Sequence, residues 1–357
     1  MTRLLFVSIG DIYRASSRFR AYWWAGHLAK KGVECRVIPY YRALPNLKLK
    51  PPFDALHRRK LIVQQVYREI VEAVRWADVI VLQEVLLPHW LLNMIGKSGK
   101  RLIFDFSDPI HLGHKANPSL PARLLHRYQA LPRFRATLET ADFAIVENET
   151  LVPLAEQYGC QTAVMRGPIN TEFFQPRPLN PERDYVNIGW TGSPSTYHHL
   201  APIFPALEQI GRDFPETKLT LVGASPLTRF NYLSCRVVPW QLDKEAESVA
   251  DFDIGIFYLS PTEWEKARGG GKLLVYMAAG LPILASPTGI GGQIVVDGEC
   301  GFLATKPAAW YTHLARLIQN PALRHRLGRN SRQHAANCYS HQAYEAQMLS
   351  ILGLTTS

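Results

Sequence analysis

The chain has few cysteines, and their spacing fits neither a disulfide framework nor a zinc site. Cys35, Cys160, Cys235, Cys300 and Cys338 are the five in 357 residues, an odd number with no CxxC pair among them. Such scattered cysteines predict reduced thiols, as in a cytoplasmic protein. Histidine motifs such as HExxH are also missing, so we predict no metal site.

Long apolar runs are missing as well. No stretch of about 18 uninterrupted apolar residues occurs, which predicts that no helix spans a membrane. Near the start, Arg3 is followed by a short apolar run only, and this predicts a first β-strand and not a signal peptide. No GxGxxG follows that run, which disfavours an NAD-dependent oxidoreductase.

Excess positive charge is confined to the first half of the chain. Residues 1–170 hold 24 Lys and Arg against 14 Asp and Glu, whereas residues 171–357 hold 16 of each. This split predicts an anionic partner, with ordinary solubility charge as the alternative. The basic residues are spread along several helices, which disfavours a nucleic-acid surface.

Alternation of strand-like and helical stretches is the main pattern that the sequence does show. It predicts strands at 3–9, 33–39, 79–82, 101–104, 142–146 and 162–165, and again at 185–190, 217–222, 236–238, 254–257 and 283–285. A proline-rich stretch at 175–182 separates the two series and predicts a linker. We therefore predict an α/β protein with two Rossmann-like domains, 1–172 and 173–339, and a final helix at about 340–357.

Three glycines directly before a helical stretch at 272–279 form the most informative loop. Gly269, Gly270 and Gly271 leave backbone N–H groups uncovered at a helix start, which is an anion site. Arg268 and Lys272 add a cation on each side. Together they predict a site that holds a diphosphate and stabilises it as a leaving group. A flexible loop with two solvated charges is the alternative.

A second candidate anion site follows the first predicted strand. Gly10, Ser17, Arg18 and Arg20 lie at the start of a predicted helix over 16–31, for which Ser16 or Ser17 is the expected N-cap. These residues would meet donor phosphates or an anionic acceptor. The alternative is a helix cap with two surface arginines.

Two later loops of the first half carry polar residues after predicted strands. Asp105 and Asp108 are placed to accept a proton or orient an acceptor hydroxyl, with a turn-capping role for Asp105 as the equal alternative. Asn148 is a weaker candidate for the same region.

A predicted helix over 121–135 mixes basic with aliphatic and aromatic residues. Its arginines are Arg123, Arg127, Arg133 and Arg135. This mixture is typical of a helix at a membrane surface. A solvated amphipathic helix packed on its own sheet explains it equally well.

The stretch 268–286 resembles the donor-site signature of glycosyltransferase family 4, the group 1 glycosyltransferases. The resemblance rests on Lys272-Leu-Leu-Val-Tyr-Met-Ala-Ala-Gly-Leu-Pro282, and segments 188–195, 168–174 and 298–303 fit the same pattern. It covers nearly all of 186–340 and, more loosely, 1–174. It implies the GT-B fold, in which two Rossmann-like domains face across a cleft and a C-terminal helix returns to the N-terminal domain.

The resemblance also implies an activity. It implies a retaining enzyme that transfers a hexose from a nucleoside diphosphate sugar to a hydroxyl acceptor, without a metal or other cofactor. The first half would present the acceptor and the second half the donor. The charge split further predicts that the acceptor is lipid-linked or part of a cell-envelope glycan. It also predicts that the protein associates peripherally with the inner face of the membrane. The alternative is a nonenzymatic nucleotide-sugar or polyanion-binding protein of the same fold.

Two departures from the family pattern concern the donor site. The family has two glutamates eight positions apart; the second is replaced by Val275, and Glu263 or Glu265 would replace the first. The loop after the first strand of the second half, where the family often has Arg and Lys, holds Gly192 and Ser193, whose backbone N–H groups would bind phosphate.

Trp240 lies where the family places its nucleobase. The resemblance therefore makes it a candidate for stacking on the base. The substrate's sugar and base are not specified by any motif.

Overall fold

The structure is a computed structural model that describes residues 2–42, 52–112, 126–177, 183–225 and 229–354, with 52–62 as backbone only. The chain divides into two compact units. One comprises Met1–Arg166 and Glu345–Ser357, and the other comprises Gly167–Tyr344. Arg123, among the predicted membrane-facing arginines, and part of the predicted linker, 178–182, lie outside the described residues.

The first unit contains a fully parallel sheet of six strands, in the order β2-β1-β3-β4-β5-β6. The strands are β1 Arg3–Ser8, β2 Glu34–Pro39, β3 Val79–Gln83, β4 Arg101–Phe106, β5 Phe143–Val146 and β6 Gln161–Val164. Strands β1 and β3 are apolar along almost their whole length, as a sheet covered by helices on both faces requires. All six lie where the sequence predicts strands.

Helices connect these strands. They are α1 Ala15–Ser17, α2 Trp23–Ala29, α3 Pro52–Trp76, α4 His89–Gly96, α5 Leu131–Thr140 and α6 Val152–Glu156. Between α1 and α2 the chain forms a π-helical turn at Arg18–Tyr22, and further short turns are Ile110–Leu112, His126–Ala130 and Glu149–Leu151.

The predicted N-cap at Ser16 or Ser17 is wrong. The helix begins after Arg14, and no side chain caps it. Ser17 Oγ is instead used within the polar network: it accepts from Gly10 N at 3.0 Å and donates to Gln83 Oε1 at 3.2 Å. The hydroxyl proton and one lone pair of Ser17 are thus used by residues outside its own helix.

The second unit has its own parallel six-stranded sheet, ordered β12-β11-β10-β7-β8-β9. Its strands are β7 Asn187–Thr191, β8 Lys218–Val222, β9 Ser234–Val238, β10 Ile254–Phe257, β11 Ile283–Ala285 and β12 Gly301–Leu303. Strand β12 was not among the predicted strands, because three residues starting with glycine carry almost no β signal. The predicted fold class, two Rossmann-like α/β units, is confirmed.

The helices of this unit flank its sheet. They are α7 Phe204–Asp213, α8 Glu245–Ala250, α9 Glu263–Lys266, α10 Gly271–Ala278, α11 Ile290–Ile294, α12 Pro307–Gln319, α13 Pro321–Cys338 and α14 His341–Leu352, with 3₁₀ segments at Pro194–Ile203 and Leu242–Lys244. Within the ranges that the structure describes, no helix is both long and apolar enough to cross a membrane.

Helix α14 leaves the second unit and ends in the first, as predicted for the final helix. From Glu345 onward its residues belong to the first unit. Glu345 pairs there with His27 at 2.7 Å and Lys31 at 3.0 Å. Arg101 Nε donates to the Ile351 carbonyl at 2.7 Å, so polar contacts at both ends of this stretch hold the helix on the first unit.

Each sheet has one point at which the strand order reverses. In the first sheet it lies between β1 and β3, and in the second between β7 and β10. Ligands of open α/β sheets bind beyond the carboxyl ends of the strands at such a point. The loops after β1, β3, β7 and β10 are therefore the places to look for a site.

Candidate active site

At the reversal point of the second sheet, β7 runs into a tight loop. A Cβ on Gly192 would lie 2.4 Å from the Trp190 ring and 2.7 Å from Lys272 Nζ, so only glycine fits there. Ser193 N donates to Thr196 Oγ1 at 3.2 Å, which fixes the start of the 3₁₀ segment. Gly192 N donates to the Val222 carbonyl at 3.0 Å, so both N–H groups that were predicted to bind phosphate are already used within the protein. What the loop does place here is the lysine head.

Lys272 reaches this loop from the first turn of α10. Its Nζ donates to Thr196 Oγ1 at 3.1 Å and lies 4.4 Å from the Trp190 ring centroid. Burial lowers the pKa of Lys272 to about 7, and the nearby Arg268 acts in the same direction. Burial thus favours the neutral amine, and an anion beside it would favour the charged form.

Arg268 lies beside the same loop, in contact with a buried carboxylate. Its Nη1 lies 3.6 Å from Glu265 Oε2 and 3.3 Å from His199 Nε2. Glu265 is 6% exposed, and its Oε2 accepts no hydrogen bond within the part of the chain that is described. Of the two candidates for the family's first glutamate, Glu265 is buried beside Arg268, whereas Glu263 is exposed at the surface of α9.

The glycine loop places α10 against its neighbour. Gly270 caps the helix start, and a Cβ there would meet Ile290 of α11 at 2.8 Å. Gly269 precedes it and Gly271 is the first helical residue. The helix start thus lies between Arg268 and Lys272, and Lys272 contacts the loop that begins at Gly192.

Trp240 lies at the edge of this site. Gly223, at φ +76° after β8, has the Gly192 carbonyl within 2.2 Å and Trp240 Cβ within 3.2 Å of the position that its own Cβ would take. The indole is half-buried beside the loop. Val275, in contrast, is 3% exposed on α10 and is part of the core.

Two residues of the site, Thr196 and His199, are not among the predicted site residues. The spacing of three between Ser193 and Thr196 is that of a capping pair and could have indicated Thr196. His199 gave no usable signal, because adjacent histidines have many ordinary explanations.

In the first unit, Arg20 is buried in an ion-pair network. It is 2% exposed; its Nε donates to Asp105 Oδ1 at 2.6 Å, and its Nη1 donates to Glu147 Oε2 at 2.6 Å and to the Met165 carbonyl at 3.0 Å. Burial raises the pKa of Asp105 to about 6, against the opposing effect of Arg20. This placement argues against the predicted anion contact of Arg20 and against acceptor or capping roles for Asp105.

The other candidates of the first unit are also engaged by the protein. Arg18 is 1% exposed and its Nη1 donates to the Ile12 carbonyl at 3.0 Å. Asn148 Oδ1 accepts from Thr150 N at 3.0 Å as a helix cap. Gly10 follows β1 and its N–H donates to Ser17 Oγ, and Asp108 is half-buried after β4.

Glu84 is the residue of this region that the sequence did not reveal. It follows β3 at the reversal point, is 6% exposed, and has φ at +57°. Its carboxylate accepts from Ser16 Oγ at 3.2 Å and from Ser107 N at 3.3 Å, and contacts Ser107 Oγ. A backbone conformation that few side chains adopt here directs a carboxylate into the loop cluster.

Comparison with known proteins shows which family this part of the chain resembles. Residues 186–320, which include Gly192, Arg268 and Lys272, match the family model described as glycosyl transferases group 1. This match covers 135 of the 357 residues and lies within the second unit. The predicted family resemblance is thus confirmed over residues 186–320.

Solved structures share the GT-B fold with this chain over nearly its whole length. Sucrose-phosphate synthase from Thermosynechococcus elongatus superposes with a TM-score of 0.69 at 17% identity, covering 98% of both chains. A glycosyltransferase from Rickettsia africae gives 0.65 at 15%, covering 98% of this chain and 97% of its own. The Anabaena protein Alr3699/HepE in complex with UDP gives 0.63 at 14%, covering 99% and 100%. A comparison with curated protein sequences gives no match.

Proposed function

We propose that this chain is a retaining glycosyltransferase that takes a hexose from a nucleoside diphosphate sugar bound in the second unit and gives it to a hydroxyl acceptor. The observation that carries the proposal is the convergence of Arg268, Lys272 and a glycine-lined helix start at the reversal point of the second sheet. Two cations and uncovered N–H groups are the groups that hold a diphosphate.

The chemistry follows from this arrangement. When the bond between the anomeric carbon and the donor oxygen breaks, negative charge accumulates on the diphosphate. Fixed cations in a water-poor loop stabilise that charge more than they stabilise the bound donor, and this difference lowers the barrier. The Oε2 of Glu265, buried and without a hydrogen bond among the described residues, is suited to accept from a sugar hydroxyl.

We assign the contacts with the nucleobase and the ribose from the residues that lie near the Gly192 loop and on α10. Trp240 beside the Gly192 loop is the candidate for stacking on the nucleobase. Val275 in the core of α10 offers the ribose no hydrogen bond, so the ribose contact must come from elsewhere. HepE has been solved with UDP and with UDP-glucose, which makes UDP-glucose the first donor to test.

We assign the acceptor to the first unit and extend the proposal to an acceptor that is lipid-linked or anionic. The support is the excess positive charge of residues 1–170 together with exposed aromatic residues. Trp90 is 54% exposed at the start of α4, and Tyr128 is 68% exposed beside the exposed Arg127. Basic and aromatic side chains together favour a membrane interface, here on its cytoplasmic face.

We further propose that the reaction needs no metal, because two cations are available to neutralise the leaving diphosphate. Activity should survive EDTA. Activity that is lost on chelation and returns with Mg²⁺ or Mn²⁺ contradicts this part of the mechanism.

A panel of nucleoside diphosphate sugars tests the function. A ligand that binds only the native state raises the free energy of unfolding, by about 2.7 kcal/mol at a hundredfold excess over Kd, and so raises the melting temperature. We expect one donor to stabilise the protein and to be turned over, with slow hydrolysis when no acceptor is present. Stabilisation without turnover favours the nonenzymatic binding protein, and no stabilisation by any donor contradicts the proposal.

A further inference from the structure

Three side chains of the second unit share contacts around a single ring nitrogen. His199, from the 3₁₀ segment Pro194–Ile203, has its Nε2 3.4 Å from Glu265 Oε1. The same Nε2 lies 3.3 Å from Arg268 Nη1. Nε2 thus faces a carboxylate, which only accepts hydrogen bonds, and a guanidinium, which only donates them.

One nitrogen cannot satisfy both neighbours at once. Without a proton, Nε2 accepts from Arg268, and Glu265 stays the counter-charge of the guanidinium. With a proton, Nε2 donates to Glu265 and repels Arg268. The protonation state of His199 therefore decides which of the two charged residues it pairs with.

Burial and the basic groups around His199 disfavour its protonation while the site holds no anion, whereas the carboxylate of Glu265 favours it. Lys272 faces it from α10, Arg268 and Glu265 from α9 and the loop after it, and His198 from its own segment, with ring centroids 4.1 Å apart. Burial lowers the pKa of His199 to about 4, and His198, Arg268 and Lys272 act in the same direction. Arg268 and Lys272 are also the proposed phosphate ligands.

We propose that His199 is a positioning residue of the donor site: it takes a proton from solvent when the diphosphate binds, pairs with Glu265 and leaves Arg268 to the phosphates. This inference rests on the proposed function. The phosphates neutralise Arg268 and Lys272, which removes the repulsion that opposes a charged imidazole. His199 then uses Oε1 of Glu265, and Oε2 remains available for a sugar hydroxyl.

The test is calorimetry of UDP-glucose binding at about pH 6 in two buffers of different ionisation enthalpy, which measures the protons taken up per donor. At this pH Lys272, with a pKa of about 7, is already mostly protonated, so it contributes little. The diphosphate of a nucleotide sugar is a diester and does not titrate in this range. Proton uptake at pH 6 therefore reports on His199.

Matched variants distinguish proton uptake by His199 from proton uptake by His198. His199→Gln keeps a hydrogen-bonding group but cannot be charged, and we expect proton uptake to vanish and affinity at pH 6 to fall. His198→Gln removes one neighbour that lowers the pKa of His199 but leaves Arg268, Lys272 and Glu265 in place, so proton uptake should persist in this variant, unlike in His199→Gln. Glu265→Gln removes the partner of the imidazolium and should also suppress uptake.

Each outcome has a defined meaning. Binding with no proton uptake in the wild type, or equal uptake in wild type and His199→Gln, overturns the inference and leaves the proposed function intact. If UDP-glucose does not bind, GDP-mannose and ADP-glucose take its place in the same experiment. A protein that binds none of these donors contradicts the proposed function, and the inference falls with it.

Discussion

Lys272 must carry a positive charge in a place with little water. Its burial favours the neutral amine, and Arg268 reinforces that preference, so the pKa falls to about 7. A bound diphosphate favours the ammonium form and raises the pKa again. The bound state therefore holds more protons than the unbound state above pH 7, and donor affinity must decrease as the pH rises through this range.

We predict that Kd for the donor rises between pH 7 and pH 9, by at most about tenfold per pH unit for one linked proton. Lys272→Arg should flatten the profile, because a guanidinium stays charged over the whole range. Titrations of both proteins at fixed ionic strength check this. Parallel profiles for wild type and variant would show that Lys272 is not the linked group.

We predict that Arg20 stabilises the folded first unit. It pairs with Asp105 and Glu147 inside the first unit. Arg20→Met should lower the free energy of unfolding by about 3–5 kcal/mol, because it leaves two buried carboxylates without their cation. Urea denaturation measures the loss. A loss below about 1 kcal/mol, accompanied by loss of donor binding, would restore the anion-binding role that the sequence suggested.

At the scale of elements, the loops after β7 and β8 are held close together and to α10. Gly192→Ala should weaken donor binding at least tenfold, because its Cβ has Lys272 Nζ 2.7 Å away and the Trp190 ring 2.4 Å away. Gly26→Ala is the matched control. It lies in α2 with nothing within 4 Å of its new Cβ and should stabilise the protein by about 0.5–1 kcal/mol.

Donor affinity and melting temperature of the two glycine variants give the comparison. Gly192→Ala with unchanged affinity would mean that the loop and the lysine head adjust without cost. The close packing of the loop against Lys272 would then have no part in binding.

The sheets could be predicted from the sequence because parallel strands buried on both faces leave continuous apolar runs, as at 79–83 and 254–257. The glycine loop and its two cations are contiguous in the chain, so they could be predicted too. Pairings between distant segments could not be predicted from the sequence. Arg20 with Glu147 and His199 with Glu265 are set by how loops approach in space, and no local pattern distinguishes an arginine at a ligand from one in a buried ion pair.

Helix caps and backbone angles also cannot be predicted from local sequence where a tertiary contact determines them. Ser17 has the composition of an N-cap, yet its hydroxyl bonds to Gly10 and Gln83. Glu84 adopts a positive φ that is typical of glycine. In both cases a tertiary contact overrides a local preference, and a sequence pattern cannot reveal such a contact.

For the whole molecule, the charge split predicts binding to anionic vesicles. Each Lys or Arg near such a surface contributes about 1 kcal/mol, and salt screens the attraction. Sedimentation should increase with anionic lipid and decrease at high salt. Arg127→Ser with Arg133→Ser and Arg135→Ser should reduce it, while the matched change Arg329→Ser in the second unit, exposed on α13, should not. No sedimentation at low salt would refute the membrane proposal and favour a soluble anionic acceptor.

The most direct test of the account is donor turnover by Arg268→Ala/Lys272→Ala. The control is Lys266→Ala, which removes an exposed lysine from the same region. If the two cations stabilise the leaving diphosphate, the double variant should lose at least about 100- to 1000-fold in kcat and remain folded, with the control near wild type. Near-native kcat in the double variant would contradict the assignment of the donor site.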